Sequence, residues 1–117
     1  MTLTEQTKSG AAGGSAVTTV ASLARDWAGR APDQVAMREK DFGIWHEITW
    51  GDAWGTIEDL AHGLIALGVQ PGDRVSIHAE DRPEWVLLDL ATVAVRGVTV
   101  GFYPTNPAAE VEYLLKD

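Results

Sequence analysis

The spacing of apolar residues changes repeatedly along the chain, and each change marks a boundary between elements. From residue 17 to 28, Val20, Leu23, Ala24 and Trp27 recur at the spacing that lines one face of a helix, with Gly29 and Pro32 placed to stop it. The pattern then reads as two strands, 35–40 and 44–50, joined by the short turn Asp41-Phe42-Gly43, which is the signature of an antiparallel hairpin. Thr49 followed three residues on by Asp52 resembles a helix-capping pair. Apolar positions 53, 57, 60, 61, 64 and 67 continue at helical spacing until Gly68 and Pro71.

The second half alternates strand and helix. Residues 74–79 read as a short strand, and Asp81 with Glu84 is expected to cap a helix that carries Trp85, Leu88, Ala91 and Val95 on one side. Gly97 is expected to supply a left-handed stop, and residues 98–103 form a β-branched and aromatic strand. Pro104-Thr105-Asn106-Pro107 then turns into a last helix, with Pro107 at its first position and Val111, Leu114 and Leu115 along it. Strands separated by helices of this length imply parallel pairing with right-handed crossovers. The predicted class is α/β, an N-terminal helix and β-hairpin followed by βαβ-type crossovers. Two crossover strands fall short of the five or six of a usual sheet, so the architecture reads as an incomplete portion of a larger domain. Residues 1–16 carry only Glu5 and Lys8 as charges and no apolar cluster, and are expected to be a flexible tail ahead of a domain at 17–117.

Composition narrows the functions available. The chain has 117 residues with 9 basic and 17 acidic side chains, a formal net charge of -8. With no basic run, nucleic acid and an anionic membrane surface are poor partners, because both require clustered Lys and Arg. The absence of cysteine removes disulfides, thiolate catalysis and cysteine-ligated metal sites together. No apolar run approaches the ~18 residues of a membrane span, no targeting pattern is present, and a cytoplasmic location is expected.

The sequence holds little recognisable chemistry. Gly10, Gly13 and Gly14 have no strand before them, so they read as linker and not as a phosphate-binding fingerprint. His46-Glu47-Ile48-Thr49-Trp50 begins like a zinc motif but lacks the second histidine, and His46, His62 and His78 fall on three different elements, so no metal site is expected. Trp45, Trp50 and Trp54 stand among Glu47, Asp52 and glycine, which favours core or rim packing over base stacking. Asp41, Glu47, Asp52, Glu58 and Asp59 alternate with apolar positions and read as a solvated face.

A resemblance adds what composition cannot. The run from Arg38 to Trp50, then Leu67-Gly68-Val69-x-x-Gly72-Asp73-Arg74-Val75, then Arg82-Pro83-Glu84-Trp85, then Gly101-Phe102-Tyr103-Pro104-Thr105 with Glu110-Val111-x-Tyr113-Leu114-Leu115, resembles the N-terminal part of AMP-forming long-chain acyl-CoA synthetases of the adenylate-forming superfamily. The similarity is collinear from about Leu23 to Asp117. It implies a two-step reaction in which ATP and a fatty acid give an acyl-adenylate and pyrophosphate, and coenzyme A then displaces AMP. Magnesium accompanies ATP.

In that family the phosphate loop, the ribose-binding acid, the hinge and the lysine of the small domain all lie downstream of the position matched by Asp117. No catalytic or cofactor-binding residue is therefore carried over, and the chain is expected to be a truncated, inactive segment that binds no cofactor alone. Candidate substrate-cleft residues are the strand ends at Glu80-Asp81-Arg82 and, above all, Tyr103, Pro104 and Thr105, since ligands of open α/β sheets collect beyond the carboxyl ends of the strands. The family often has Asn where Asp81 stands, and either residue can cap a helix. Expected partners are the remainder of the enzyme, or self-association through an exposed sheet edge. The complete enzyme would take the fatty acid and sit in the cytoplasm, peripheral at the membrane. The rival expectation is a free-standing α/β binding or interaction module without catalysis.

Overall fold

The computed structural model of the protein describes residues 18–117, so the expected tail at 1–16 lies outside the described residues. The element order is α1 (Val20–Arg30), β1 (Val35–Asp41), β2 (Ile44–Thr49), α2 (Trp50–Ala66), β3 (Arg74–His78), α3 (Pro83–Ala94), β4 (Val98–Phe102) and α4 (Ala108–Lys116). This is the mixed α/β order that the apolar periodicity predicts. The strands form two separate sheets, an antiparallel hairpin β1–β2 and a parallel pair β3–β4 joined by the α3 crossover.

The core is a helix-on-helix layer. Ala53, Ile57 and Leu64 of α2 meet Leu87 and Ala91 of α3, and Ile57 and Ala91 are fully buried. The two alanines, Ala53 and Ala91, keep the helix backbones close, and burying an isoleucine side chain there stabilises the fold by roughly 1.5–3 kcal/mol. Half-buried Met37 and Ile48 from the hairpin and Val75 from β3 close the cluster at its edges. Thr92 is fully buried, and its hydroxyl donates to the Leu88 carbonyl at 2.8 Å, so the layer holds no orphaned polar group at that point.

Several local expectations shift by one or two residues, each for a visible reason. Gly29 does not stop α1, which continues to Arg30 and ends where the Ala31 N–H donates to the Trp27 carbonyl at 2.8 Å. The hairpin turn is centred on Phe42 and Gly43, with φ of 46° and 81°, so the left-handed pair of a tight hairpin includes a phenylalanine. Thr49 does cap α2, accepting a hydrogen bond from the Asp52 N–H at 3.2 Å. Asp81 does not cap α3: the N-cap is Arg82, which makes no side-chain cap bond, and Pro83 opens the helix with the φ it already prefers.

The side of α3 predicted from Trp85, Leu88, Ala91 and Val95 is broader than drawn, because Leu87, Ala91 and Thr92 are its most buried residues. α3 lies between α2 and the parallel pair, and so buries more than one stripe. Pro107 is the N-cap of α4 and not its first helical residue.

Gly97 is needed for a reason other than handedness. The left-handed residue after α3 is Arg96, with φ of 66°. At Gly97 a Cβ would stand 3.0 Å from Thr92 Cγ2 and 3.3 Å from the Asp73 carbonyl oxygen. The chain crosses there against the start of β3, where Val98 N–H donates to the Asp73 carbonyl and Gly72 N–H to the Arg96 carbonyl, both at 2.8 Å. A side chain there would force Thr92 or the two crossing segments to give by a few tenths of an ångström.

Candidate functional site

The parallel pair ends in a cleft. Its walls come from the β3–α3 loop and the residues that follow β4, the carboxyl-end position at which open α/β sheets collect ligands. The cleft encloses about 450 Å³ and is lined by Ala79, Asp81, Trp85, Gly101, Tyr103 and Pro104, with buried Phe102 behind them. Gly101 permits the closest contact: a Cβ there would stand 2.9 Å from Trp85 Cζ2, so the indole of α3 lies directly on the β4 backbone. Tyr103, 77% exposed, forms the outer wall.

Of the strand-end residues singled out from sequence, Tyr103, Pro104 and Asp81 line this cleft, while Thr105 does not. Glu80 and Arg82 turn to a second cleft of about 600 Å³, shared with Arg38, Lys40 and Asp41 of β1. Sequence periodicity assigned Trp85 to packing alone. The glycine within an otherwise β-branched strand was the available signal that another group approaches β4 at that point.

The first cleft offers shape and apolar surface with one carboxylate, Asp81. The Tyr103 hydroxyl adds a further polar group, and the mostly apolar wall suits holding part of a ligand. The second cleft mixes charges of both signs. Arg38 is already engaged by Glu47 at 2.7 Å, and Arg82 by Glu84 at 3.3 Å. These exposed pairs are each worth well under ~1 kcal/mol and leave no net preference for an anion.

A nucleotide phosphate or its magnesium does not fit the residues described. The β3–α3 turn contains no glycine and leads into a helix whose first residue is Pro83, which has no N–H to offer. In the β4–α4 turn, Pro104 and Pro107 also lack N–H groups, and the Asn106 N–H already donates to the Tyr103 carbonyl at 3.0 Å. Among the described residues no group of three or more His, Asp or Glu side chains could hold a metal ion. His46, His62 and His78 stand on β2, α2 and β3, and His78 meets the Phe102 ring edge-on at 6.5 Å.

Three tryptophans pack at the rim: Trp27 stacks on Trp50 at 6.2 Å with the Arg30 guanidinium over Trp27, and Lys40 lies over Trp45. No helix among the described residues is long and apolar enough to cross a membrane.

A βαβ crossover with a cleft at its carboxyl end, preceded by a helix and a hairpin, defines a segment of an α/β domain. Residues 24–117 match the family model for AMP-binding enzymes, and the chain belongs to that family. It is 44% identical over 86 residues to the long-chain-fatty-acid–CoA ligase FadD15 of Mycobacterium bovis, a match covering 74% of this chain and 14% of that protein. It is 33% identical over 87 residues to the mitochondrial medium-chain acyl-CoA ligase ACSF2 of Bos taurus, covering 74% of this chain and 14% of the relative.

Among solved structures, acetoacetyl-CoA synthetase from Streptomyces lividans superposes with a TM-score of 0.76 at 35% identity, over 82% of this chain and 15% of that one. The NpsA N-terminal subdomain of Klebsiella oxytoca shares the fold, with a TM-score of 0.76 at 24% identity over 86% of this chain and 25% of that one. The chain thus spans about one seventh of the length of the curated relatives it matches.

Proposed function

We propose that this chain supplies the opening segment of the large domain of an ATP-dependent, AMP-forming long-chain fatty acid–CoA ligase, and that it is inactive alone. The observation that carries this reading is the 44% identity over 86 residues to a long-chain-fatty-acid–CoA ligase. A free-standing binding module is not favoured, since the sequence relatives above are acyl-CoA ligases and a synthetase.

In the complete enzyme the fatty acid would be activated as an acyl-adenylate and passed to coenzyme A, with ATP and magnesium held by residues outside this segment. Tyr103, Pro104 and Thr105 would border the substrate cleft, with Tyr103 and Pro104 supplying wall and Thr105 the backbone turn behind them. The complete enzyme would work in the cytoplasm, peripheral at the membrane.

Two measurements test the proposal. The purified chain incubated with ATP, magnesium and palmitate should release no pyrophosphate above background, and turnover by the chain alone would overturn it. Grafting residues 24–117 in place of the matching segment of the Mycobacterium bovis ligase should preserve long-chain acyl-CoA synthesis. A graft that folds yet activates no fatty acid of any length would refute the assignment.

A further inference from the structure

The far end of the β1–β2 hairpin carries more apolar surface than its own folding can use. Phe42 is 96% exposed and stands at φ of 46°, a left-handed position that glycine or asparagine takes with less strain. An aromatic ring held there gains nothing from packing, so the strain points to a use outside the fold. Ile44 and Trp45 beside it are 63% and 61% exposed. Asp41 pairs with Ile44 and Lys40 with Trp45, so strand alternation sets Ile44 on one face of the ribbon, Trp45 on the other and Phe42 at the apex. The tip is apolar on both faces.

The hairpin is anchored at its other end. Met37 and Ile48 pack against the helix layer, whereas β2 is exposed from Ile44 to Glu47. The strands are joined at the tip by a two-residue turn directly after the Asp41–Ile44 pair, so little backbone would accompany these side chains into a layer poor in water.

Charge decides what surface such a tip fits. The Lys40 ammonium lies over the Trp45 ring at 5.7 Å and Asp41 immediately precedes Phe42, so one cation and one anion flank the three apolar residues. A ring with an amine on its face settles at a headgroup layer, the ring inward and the amine outward. The balanced pair matches a headgroup that itself carries both signs, whereas the net charge of -8 on the whole chain opposes an anionic surface. We propose that Phe42, Ile44 and Trp45 form a docking tip for a bilayer of zwitterionic phospholipid. Phe42 enters at the acyl boundary, Trp45 and Lys40 lie among the headgroups, and Asp41 stays in water.

Three side chains bury little area, so docking is weak and reversible, and a tip without net charge makes it insensitive to salt. Under the fatty acid–CoA ligase reading, on which this use of the tip rests, the long alkyl chain of the substrate partitions into the same layer.

The 117-residue chain should co-sediment with phosphatidylcholine vesicles equally from about 20 to about 500 mM NaCl, with a blue shift of tryptophan emission that Trp45→Phe removes. Phe42→Asn should weaken binding about tenfold or more, the loss of one buried aromatic side chain. Because that variant relieves the left-handed strain it should still fold, so lost binding is not lost structure. Tyr113→Asn, at a tyrosine 71% exposed on α4, should leave binding unchanged. No binding to phosphatidylcholine overturns the proposal, as does binding that requires phosphatidylglycerol or is released by salt. Equal losses in Phe42→Asn and Tyr113→Asn also overturn it, because general stickiness of exposed apolar faces then explains the result. So does a grafted ligase whose vesicle binding is indifferent to Phe42→Asn, since the rest of that enzyme then covers the tip. Vesicle binding needs no adenylation, so a folded graft that activates no fatty acid refutes the ligase assignment and not the docking tip.

Discussion

Two isoleucines eight positions apart on α2 give a direct measure of where the stability resides. Ile57 is fully buried against Leu87 and Ala91, whereas Ile65 is 57% exposed on the same helix. Truncating Ile57 to Ala removes three carbons from a dry site, about 2.4 kcal/mol at ~0.8 kcal/mol each. The neighbours facing the gap include Ala53 and Ala91, which have no side chain to move into it, so a cavity term adds to the transfer loss. The expected cost of Ile57→Ala is about 3–4 kcal/mol. At Ile65 less than half of the transfer term applies, and the better helix propensity of Ala returns ~0.4 kcal/mol, leaving about 0.5 kcal/mol.

Urea denaturation followed by both tryptophan fluorescence and circular dichroism should show this gap of ~3 kcal/mol as a shift in midpoint at constant slope. Thermal melts should fall by at least ~12 °C for Ile57→Ala. Comparable costs at the two positions, or a loss below ~1.5 kcal/mol at Ile57, would refute the helix-layer account of the core. Should Ile57→Ala fail to fold, Ile57→Val is expected to cost about 1 kcal/mol and carries the same comparison.

Three further outcomes follow from local geometry. Phe42 is 96% exposed and held at φ of 46°, so Phe42→Asn should stabilise the hairpin by about 0.5–1 kcal/mol, read as a raised denaturation midpoint; a loss would mean the ring packs on something. Gly97→Ala should cost about 1–3 kcal/mol, because its methyl meets Thr92 Cγ2 at 3.0 Å and the Asp73 carbonyl; equal melting temperatures would show that the β3–β4 crossing is slack. Arg38→Ala should cost less than ~1 kcal/mol despite the 2.7 Å contact with Glu47, and the difference should vanish in 1 M salt; a larger, salt-insensitive loss would point to packing by the side-chain stem.

The elements that periodicity reveals are those whose partners impose a regular spacing. α2 was legible because Ala53, Ile57 and Leu64 share one buried stripe, and the hairpin because its strands are short and separated by a glycine turn. What escaped was the choice between adjacent residues for a special backbone role. Asp81 and Arg82 both precede α3, and Pro83 starts the helix without a side-chain cap, so the acid is free to line a cleft. Arg96 and Gly97 both follow α3; the arginine takes the left-handed turn because the glycine must sit where a Cβ has no room. That choice depends on the start of β3, 24 residues earlier in the ladder register, and no local pattern carries it. The cleft was legible as a place, at strand ends, but not in its wall: Trp85 enters it from a helix face that also packs on β4.

The division into two small sheets also sets an order of assembly. The hairpin closes across a two-residue turn, and every β3–β4 pair joins residues 24 apart, so no strand pairing must bridge a long stretch of chain. Closing the hairpin turn is cheap and that pairing forms early, whereas the parallel pair must wait for its crossover. On a ribosome adding ~5–20 residues per second, the hairpin is complete seconds before β4 exists. The hairpin is then a finished piece to which α2 is joined directly through Thr49, and the parallel pair is added to it afterwards by the arrival of α3. The age of each part follows the chain from one end to the other.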